Sequence, residues 1–164
     1  IDFYGSEPQF VAQLASTYLA LPAEWRGWFG VSGGAAAMRA RELGVEPVEG
    51  VPSGTNPIVV ASYGDLGRAR AGARPVIYSE HGAGQQYPSS GFSNYSGGQD
   101  RAGVVACLVP GSIAAAAHRR SYPGLPVYEI GVPRLDPFCV VSVVERQSPS
   151  DYYEYIYDAT DCDH

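Results

Sequence analysis

The chain has no lysine. All eleven of its cations are arginine, set against seventeen acids, and the net charge is −6. That sign excludes an electrostatic nucleic-acid binder, whose grip depends on a basic face. Without lysine there is no P-loop either, and the all-arginine usage is what a GC-rich genome produces. Cysteine is scarce: Cys107, Cys139 and Cys162 are odd in number and widely spaced. They make no disulfide framework and fit a reducing cytoplasm. No apolar run reaches the roughly 18 residues of a membrane-spanning helix. Residues 1–22 lack the basic stretch and apolar core of a signal peptide. A cytoplasmic location with no membrane contact is therefore expected. Charged residues are also few, 17% of the 164, while the hydrophobic share is 45%. That balance excludes wholesale disorder, and the length suits one compact domain.

What the chain does contain is unevenly distributed. Residues 1–138 hold all twenty glycines and ten of the eleven arginines. Residues 139–164 hold no glycine, and their last fourteen positions carry four tyrosines and five acids. Two units are expected: a main domain over 1–138, and a β-hairpin with an acidic tail over 139–164. In the tail, Cys139–Glu145 and Tyr152–Tyr157 read as strands around the turn Gln147–Ser150. The alternative is a tail that orders only against a partner.

The first unit alternates helical and strand signals. Ser6-Glu7-Pro8 reads as a helix start with a hydroxyl cap, and Phe10, Leu14, Tyr18 and Leu21 recur at helical spacing until Pro22. Further helices are expected over Ala35–Leu43, Asp65–Ala71 and Ser112–Ser121. Buried strands are expected over Gly27–Val31, Pro57–Ser62, Pro75–Ser79, Gly103–Val109 and Val127–Ile130. Near-continuous apolar strands alternating with helices predict an α/β fold. Its expected form is a Rossmann-like three-layer domain with a mostly parallel five-stranded sheet. In such sheets ligands bind at the carboxyl ends of the strands.

The candidate chemistry follows strand ends. In Tyr78-Ser79-Glu80-His81-Gly82-Ala83-Gly84-Gln85, a histidine follows a strand directly and two glycines allow close backbone approach. His81 there suits an acid or base near neutral pH, with Glu80 beside it; the plainer alternative is a structural histidine in a tight turn. Gly82-x-Gly84 lacks the third glycine of a dinucleotide fingerprint, and Gly30–Gly34 misses its spacing. No Gly-x-Ser-x-Gly elbow occurs. Backbone N–H groups at Pro110-Gly111-Ser112 suit a phosphate or carboxylate, although an ordinary serine helix cap is the commoner use. His118, beside Arg119 and Arg120, reads as part of a solvated basic face. Arg134 and Asp136 follow the last strand, either lining a cleft or pairing with each other. The Gly/Ser/Tyr-rich stretch 85–102 is long for a connection and suits a loop over a sugar, or plain flexibility. Cys162-x-His164 lacks the ligand count of a structural zinc site.

Three stretches together resemble a known family: Asp2-Phe3-Tyr4-Gly5-Ser6-Glu7-Pro8-Gln9-Phe10, Pro75 through Gln85, and Gly131-Val132-Pro133-Arg134-Leu135-Asp136. They are similar to the N-terminal half of GT-B glycosyltransferase-like proteins, such as the CDP-glycerol glycerophosphotransferase-like enzymes and the glycosyltransferases of actinobacterial phages. The resemblance covers about residues 1–138. It implies an acceptor-side domain for a sugar or polyol, with His81 as the base for the acceptor hydroxyl. Glu80, Gly82, Gly84, Gln85, Ser112, Arg134 and Asp136 are then the candidate substrate-binding residues, and no metal or cofactor is expected. The family's donor domain has no counterpart in the 26 residues after Phe138. Three expectations remain open: a fragment, a chain completed by a donor-domain subunit, or a cut-down relative that binds without catalysis. In the last case residues 139–164 would serve as the interface of a homo-oligomer or a docking element.

Overall fold

The structure, a computed structural model, describes residues 1–80 and 101–135. Of the sequence expectations, His81, Gly82, Gly84, Gln85, Asp136, most of the 85–102 loop, the 139–164 hairpin and the Cys162/His164 pair lie outside these residues.

The elements run β1 (Asp2–Gly5), α1 (Pro8–Ala20), β2 (Phe29–Val31), α2 (Gly34–Glu42), β3 (Val48–Glu49), β4 (Ile58–Val60), α3 (Tyr63–Arg70), β5 (Val76–Ser79), β6 (Val104–Val109), α4 (Ser112–Ser121) and β7 (Val127–Glu129). The strands form one sheet in the order β3-β2-β1-β4-β5-β6-β7. Every neighbouring pair is parallel. The α/β class and the parallel sheet agree with the sequence reading, but among the described residues the sheet has seven strands and not five. The two additions, β1 and β3, have four and two residues. β3 is too short to show a period, and β1 opens on the charged Asp2.

Alternation along the strands sorts the core into two layers. Phe3, Phe29, Val31 and Val59 pack with Val11, Leu14 and Ala15 of α1 and with Ala36 and Ala40 of α2. Tyr4, Ile58, Val60, Val76, Tyr78 and Cys107 pack with Leu66 and Ala69 of α3 and with Ala114 and Ala115 of α4. Helices thus cover both faces, α1 and α2 on one, α3 and α4 on the other. Full burial of each large apolar side chain contributes about 1.5–3 kcal/mol. Among the described residues, no helix is long and apolar enough to cross a membrane.

The helix ends show where local reading works and where it slips. Helix α1 starts with Pro8 in its first turn, but Glu7 occupies the cap position and no side chain caps it. Ser6 is therefore not the cap; its N–H instead donates to Asp65 Oδ2 at 3.1 Å. Leu21, just before Pro22, is already extended and ends the helix. Helix α2 stops at Glu42, and Gly44 follows with a φ of +81° that only glycine adopts freely. Helix α3 begins two residues before the expected Asp65, because Ser62 Oγ accepts the Asp65 N–H at 3.0 Å and caps the turn. In β2, Gly30 is required: a Cβ there would overlap the Gly50 carbonyl and the Pro52 ring.

The amino ends of the strands are held by a buried ion pair. Arg74 Nη2 lies 2.6 Å from Asp2 Oδ2, with the two side chains 1% and 0% exposed. Arg74 Nη1 donates to the Pro52 carbonyl at 2.6 Å. Asp2 Oδ1 accepts from the Trp28 N–H at 2.9 Å and from Asn56 Nδ2 at 3.3 Å. One carboxylate thereby ties β1 to the approaches of β2, β4 and β5.

Candidate functional site

The strand order reverses between β1 and β4, where successive connections run to opposite sides. In doubly wound sheets ligands bind at such a switch point, outside the carboxyl ends of the strands. At the ends of β1 and β4 the polar groups are largely engaged with one another. Asp65 is fully buried, accepts from the Ser6 N–H and pairs with Arg68 Nη1 at 3.1 Å. The Tyr4 hydroxyl and Ser32 Oγ lie 2.7 Å apart. The Gly33 N–H donates to Glu49 Oε1 at 3.2 Å.

The ends of β5 and β6 carry a denser cluster. Tyr78 stands opposite Cys107, and Ser79 opposite Leu108. Pairing continues one residue past β5, as the Glu80 N–H donates to the Leu108 carbonyl at 2.8 Å. Glu80 is 5% exposed, and its Oε2 lies 3.0 Å from Nε2 of His118, which is fully buried. A carboxylate can only accept, so Nε2–H is the donor and the imidazole is held in one orientation.

The burial of His118 corrects the reading of a solvated basic face. Ala114, Ala115, Ala117 and His118 form the buried side of α4, while Arg119 and Arg120 are exposed. Alanine keeps this helix close to the sheet, and the larger imidazole fills the space one turn on. His118 sits three and four residues after Ala115 and Ala114, the spacing of one helix face. That spacing is the signal the sequence reading passed over, because the adjacent arginines dominated it.

Arg101 completes the cluster. Its guanidinium carbon lies 4.6, 4.9 and 4.7 Å from the ring centroids of Tyr63, Tyr78 and Tyr122. Tyr63 stacks on Tyr78 with centroids 5.2 Å apart, and Tyr122 lies 5.9 Å from the His118 ring. Arginine thus meets an aromatic wall contributed by α3, β5 and the end of α4. All three guanidinium nitrogens are buried, and none makes a hydrogen bond among the described residues. Each cation–π contact contributes about 0.5–2 kcal/mol. A buried charge costs several kcal/mol, a cost the three rings can offset together, but a ring face accepts none of the in-plane N–H groups.

The surroundings act on two further groups. Burial, then the negative charge of Glu80, pushes the Tyr78 phenol well above its ordinary range. Burial also raises the Cys107 thiol to about 11, with Arg101 opposing the rise. Cys107 is a free, buried cysteine and so behaves as an inert core residue.

The remaining sequence candidates are placed as follows. Ser112 is the first residue of α4 and is exposed; Gly111 holds the cap position, so the serine-cap reading does not apply. Arg134 is exposed in the short turn Pro133–Leu135 that follows β7. Glu80, Ser112 and Arg134 thus follow the ends of β5, β6 and β7 in turn. Tyr63 follows the end of β4 and Arg101 falls in the 85–102 stretch read as a loop over a sugar, but neither was named for its own chemistry; Tyr122 was not singled out, since nothing local marks a residue at a helix end. Among the described residues, no group of three His, Cys, Asp or Glu side chains is placed to hold a metal ion.

Fold and cluster together define a class: an α/β protein with a Rossmann-like parallel sheet and a polar, aromatic carboxyl end. No protein-family model, curated protein or solved structure matches the chain.

Proposed function

We propose that this domain binds a sugar or polyol acceptor at the carboxyl end of its sheet, as the acceptor-side half of a glycosyl- or glycerophosphoryl-transferase-like protein. The observation that carries the reading is the buried Glu80–His118 pair, 3.0 Å between Oε2 and Nε2. It fixes the last residue of the β5 ladder at the edge where open α/β sheets take ligands. The next residue in the sequence is His81. In this reading His81 accepts the proton of an acceptor hydroxyl as that oxygen attacks the activated donor, whose nucleotide leaves. Gly82, Gly84, Gln85, Ser112, Arg134 and Asp136 line the acceptor, and a separate domain or subunit supplies the donor.

The test is a titration of the isotopically labelled chain with glycerol, glycerol 3-phosphate and simple hexoses, followed by amide NMR. Saturable shifts at Glu80, Ser112 and Arg134 are expected. Shifts confined to the amino end near Asp2 and Arg74, or none with any of these compounds, would overturn the reading.

A second reading has its own support. Val105, Tyr128 and Ile130, in or just past β6 and β7, are 48%, 57% and 36% exposed. Exposed apolar side chains on the last two strands of the sheet favour a non-catalytic module that assembles with a partner or with itself, and residues 139–164 are the candidate interface. Light scattering with and without residues 139–164 separates the two. A dimer that becomes a monomer on truncation supports assembly, and a monomer in both cases counts against it.

A further inference from the structure

We infer that Arg101 is an anchor for an anionic group, a carboxylate or a phosphate, carried by the ligand that this end of the sheet binds. The inference rests on the carboxyl-end site proposed above and adds the chemical class of the ligand.

Among the described residues, the cluster holds one more cation than its contacts satisfy. Glu80 is the nearby carboxylate, yet it is engaged by His118 and makes no ion pair with Arg101. The three tyrosine rings meet the guanidinium through their π-systems. A π-system offers no lone pair to an N–H in the guanidinium plane. Among the described residues, Nε, Nη1 and Nη2 are therefore buried donors without acceptors. Arginine keeps its charge where lysine or histidine would neutralise. A buried group of this kind is stabilised by a planar or tetrahedral oxyanion that takes two parallel N–H bonds. Of the cage, Tyr63 and Tyr122 are half-buried and Tyr78 is fully buried. Tyr63 and Tyr122 thus form the outer wall, and movement of one ring admits the anion. A neutral polyol cannot discharge this cation, whereas a phosphorylated or carboxylated one can.

The experiment compares matched ligands on the whole chain by calorimetry: glycerol, glycerol 3-phosphate, glycerate and inorganic phosphate. Glycerol 3-phosphate or glycerate is expected to bind at least about tenfold more tightly than glycerol, in line with a charge-assisted pair. Arg101→Met is expected to abolish that preference, so that glycerol 3-phosphate and glycerate bind no more tightly than glycerol. Arg101→Lys, which keeps the charge but not the fork, serves if the methionine variant unfolds, and should retain only a minor part of the preference. In the wild type, the Arg101 Nε–H resonance should move on titration with the anion.

Equal affinity for glycerol and its anionic partners overturns the anchor and leaves the polyol reading standing. Arg101-dependent binding of inorganic phosphate, without any polyol binding, supports the anchor and removes the polyol. Anion binding that survives in both variants, or an Arg101 resonance that never moves, overturns the anchor.

Discussion

The two ends of the sheet each bury charge, and they treat it in opposite ways. At the amino end, Arg74 and Asp2 meet at 2.6 Å, and the carboxylate also accepts from Trp28 N–H and Asn56. At the carboxyl end, Glu80 has its histidine, but among the described residues the Arg101 guanidinium meets only aromatic faces. Both sit in the same low-dielectric interior, where a satisfied network rigidifies and an unsatisfied group is costly. The amino end is built to hold strands together. The carboxyl end retains hydrogen-bonding capacity that the described residues do not use, at the edge where parallel sheets take ligands.

The comparison is broken most severely at its ion-paired end. Asp2→Ala leaves Arg74 buried without its partner and should remove about 3–5 kcal/mol of stability. Urea unfolding would read this as a lower midpoint, and a midpoint within error of wild type would show that the pair is not a lock. The Glu80–His118 pair should matter less: His118→Gln keeps some polarity but breaks the orientation, and a loss of about 1.5–3 kcal/mol is expected. A cycle with Glu80→Gln then measures the coupling, and additive losses would mean that the contact carries none.

Gly30→Ala tests backbone approach without charge. The new methyl must displace the Gly50 carbonyl or Pro52, and a loss of about 1–3 kcal/mol is expected from overpacking. Arg39→Ala is the surface control. Its pair with Glu42 leaves the two side chains 42% and 50% exposed, so the change should stay within about 0.5 kcal/mol. A larger drop there would weaken the contrast between buried and exposed pairs.

A pH series sharpens the carboxyl-end picture. The Cys107 thiol is raised from 9.0 to about 11 in the folded chain, so the folded state holds its proton more tightly than the unfolded one. The stability this contributes is complete below 9.0 and is lost as pH rises through about 11. Tyr78 is shifted in the same direction. Urea midpoints should fall across this range more steeply for wild type than for Cys107→Ala. Equal slopes would place the thiol in a wetter setting.

Much of the fold was legible from local pattern. The apolar runs around Val59, Ile77 and Val105 marked β4, β5 and β6, and α4 has the expected limits. Pro22 and Gly44 marked helix ends by restricting or permitting backbone angles. The central strand β1 was missed, since Asp2 reads as a polar residue at a chain start. Its burial is compensated by Arg74, 72 residues away, and by the Trp28 N–H and Asn56. His118 was misread for a related reason: its partner Glu80 is 38 residues distant, and its immediate neighbours are arginines.

Composition and periodicity by themselves determined the class. Apolar runs alternating with helical spacing, broken by proline and glycine, leave few arrangements besides a parallel sheet covered by helices. Only the tertiary structure decided the strand order, the two short strands and the partners of the buried charges. Those depend on which distant segments share a low-dielectric interior. No local pattern encodes that, because a charged residue looks the same in sequence whether water or a buried counter-charge surrounds it.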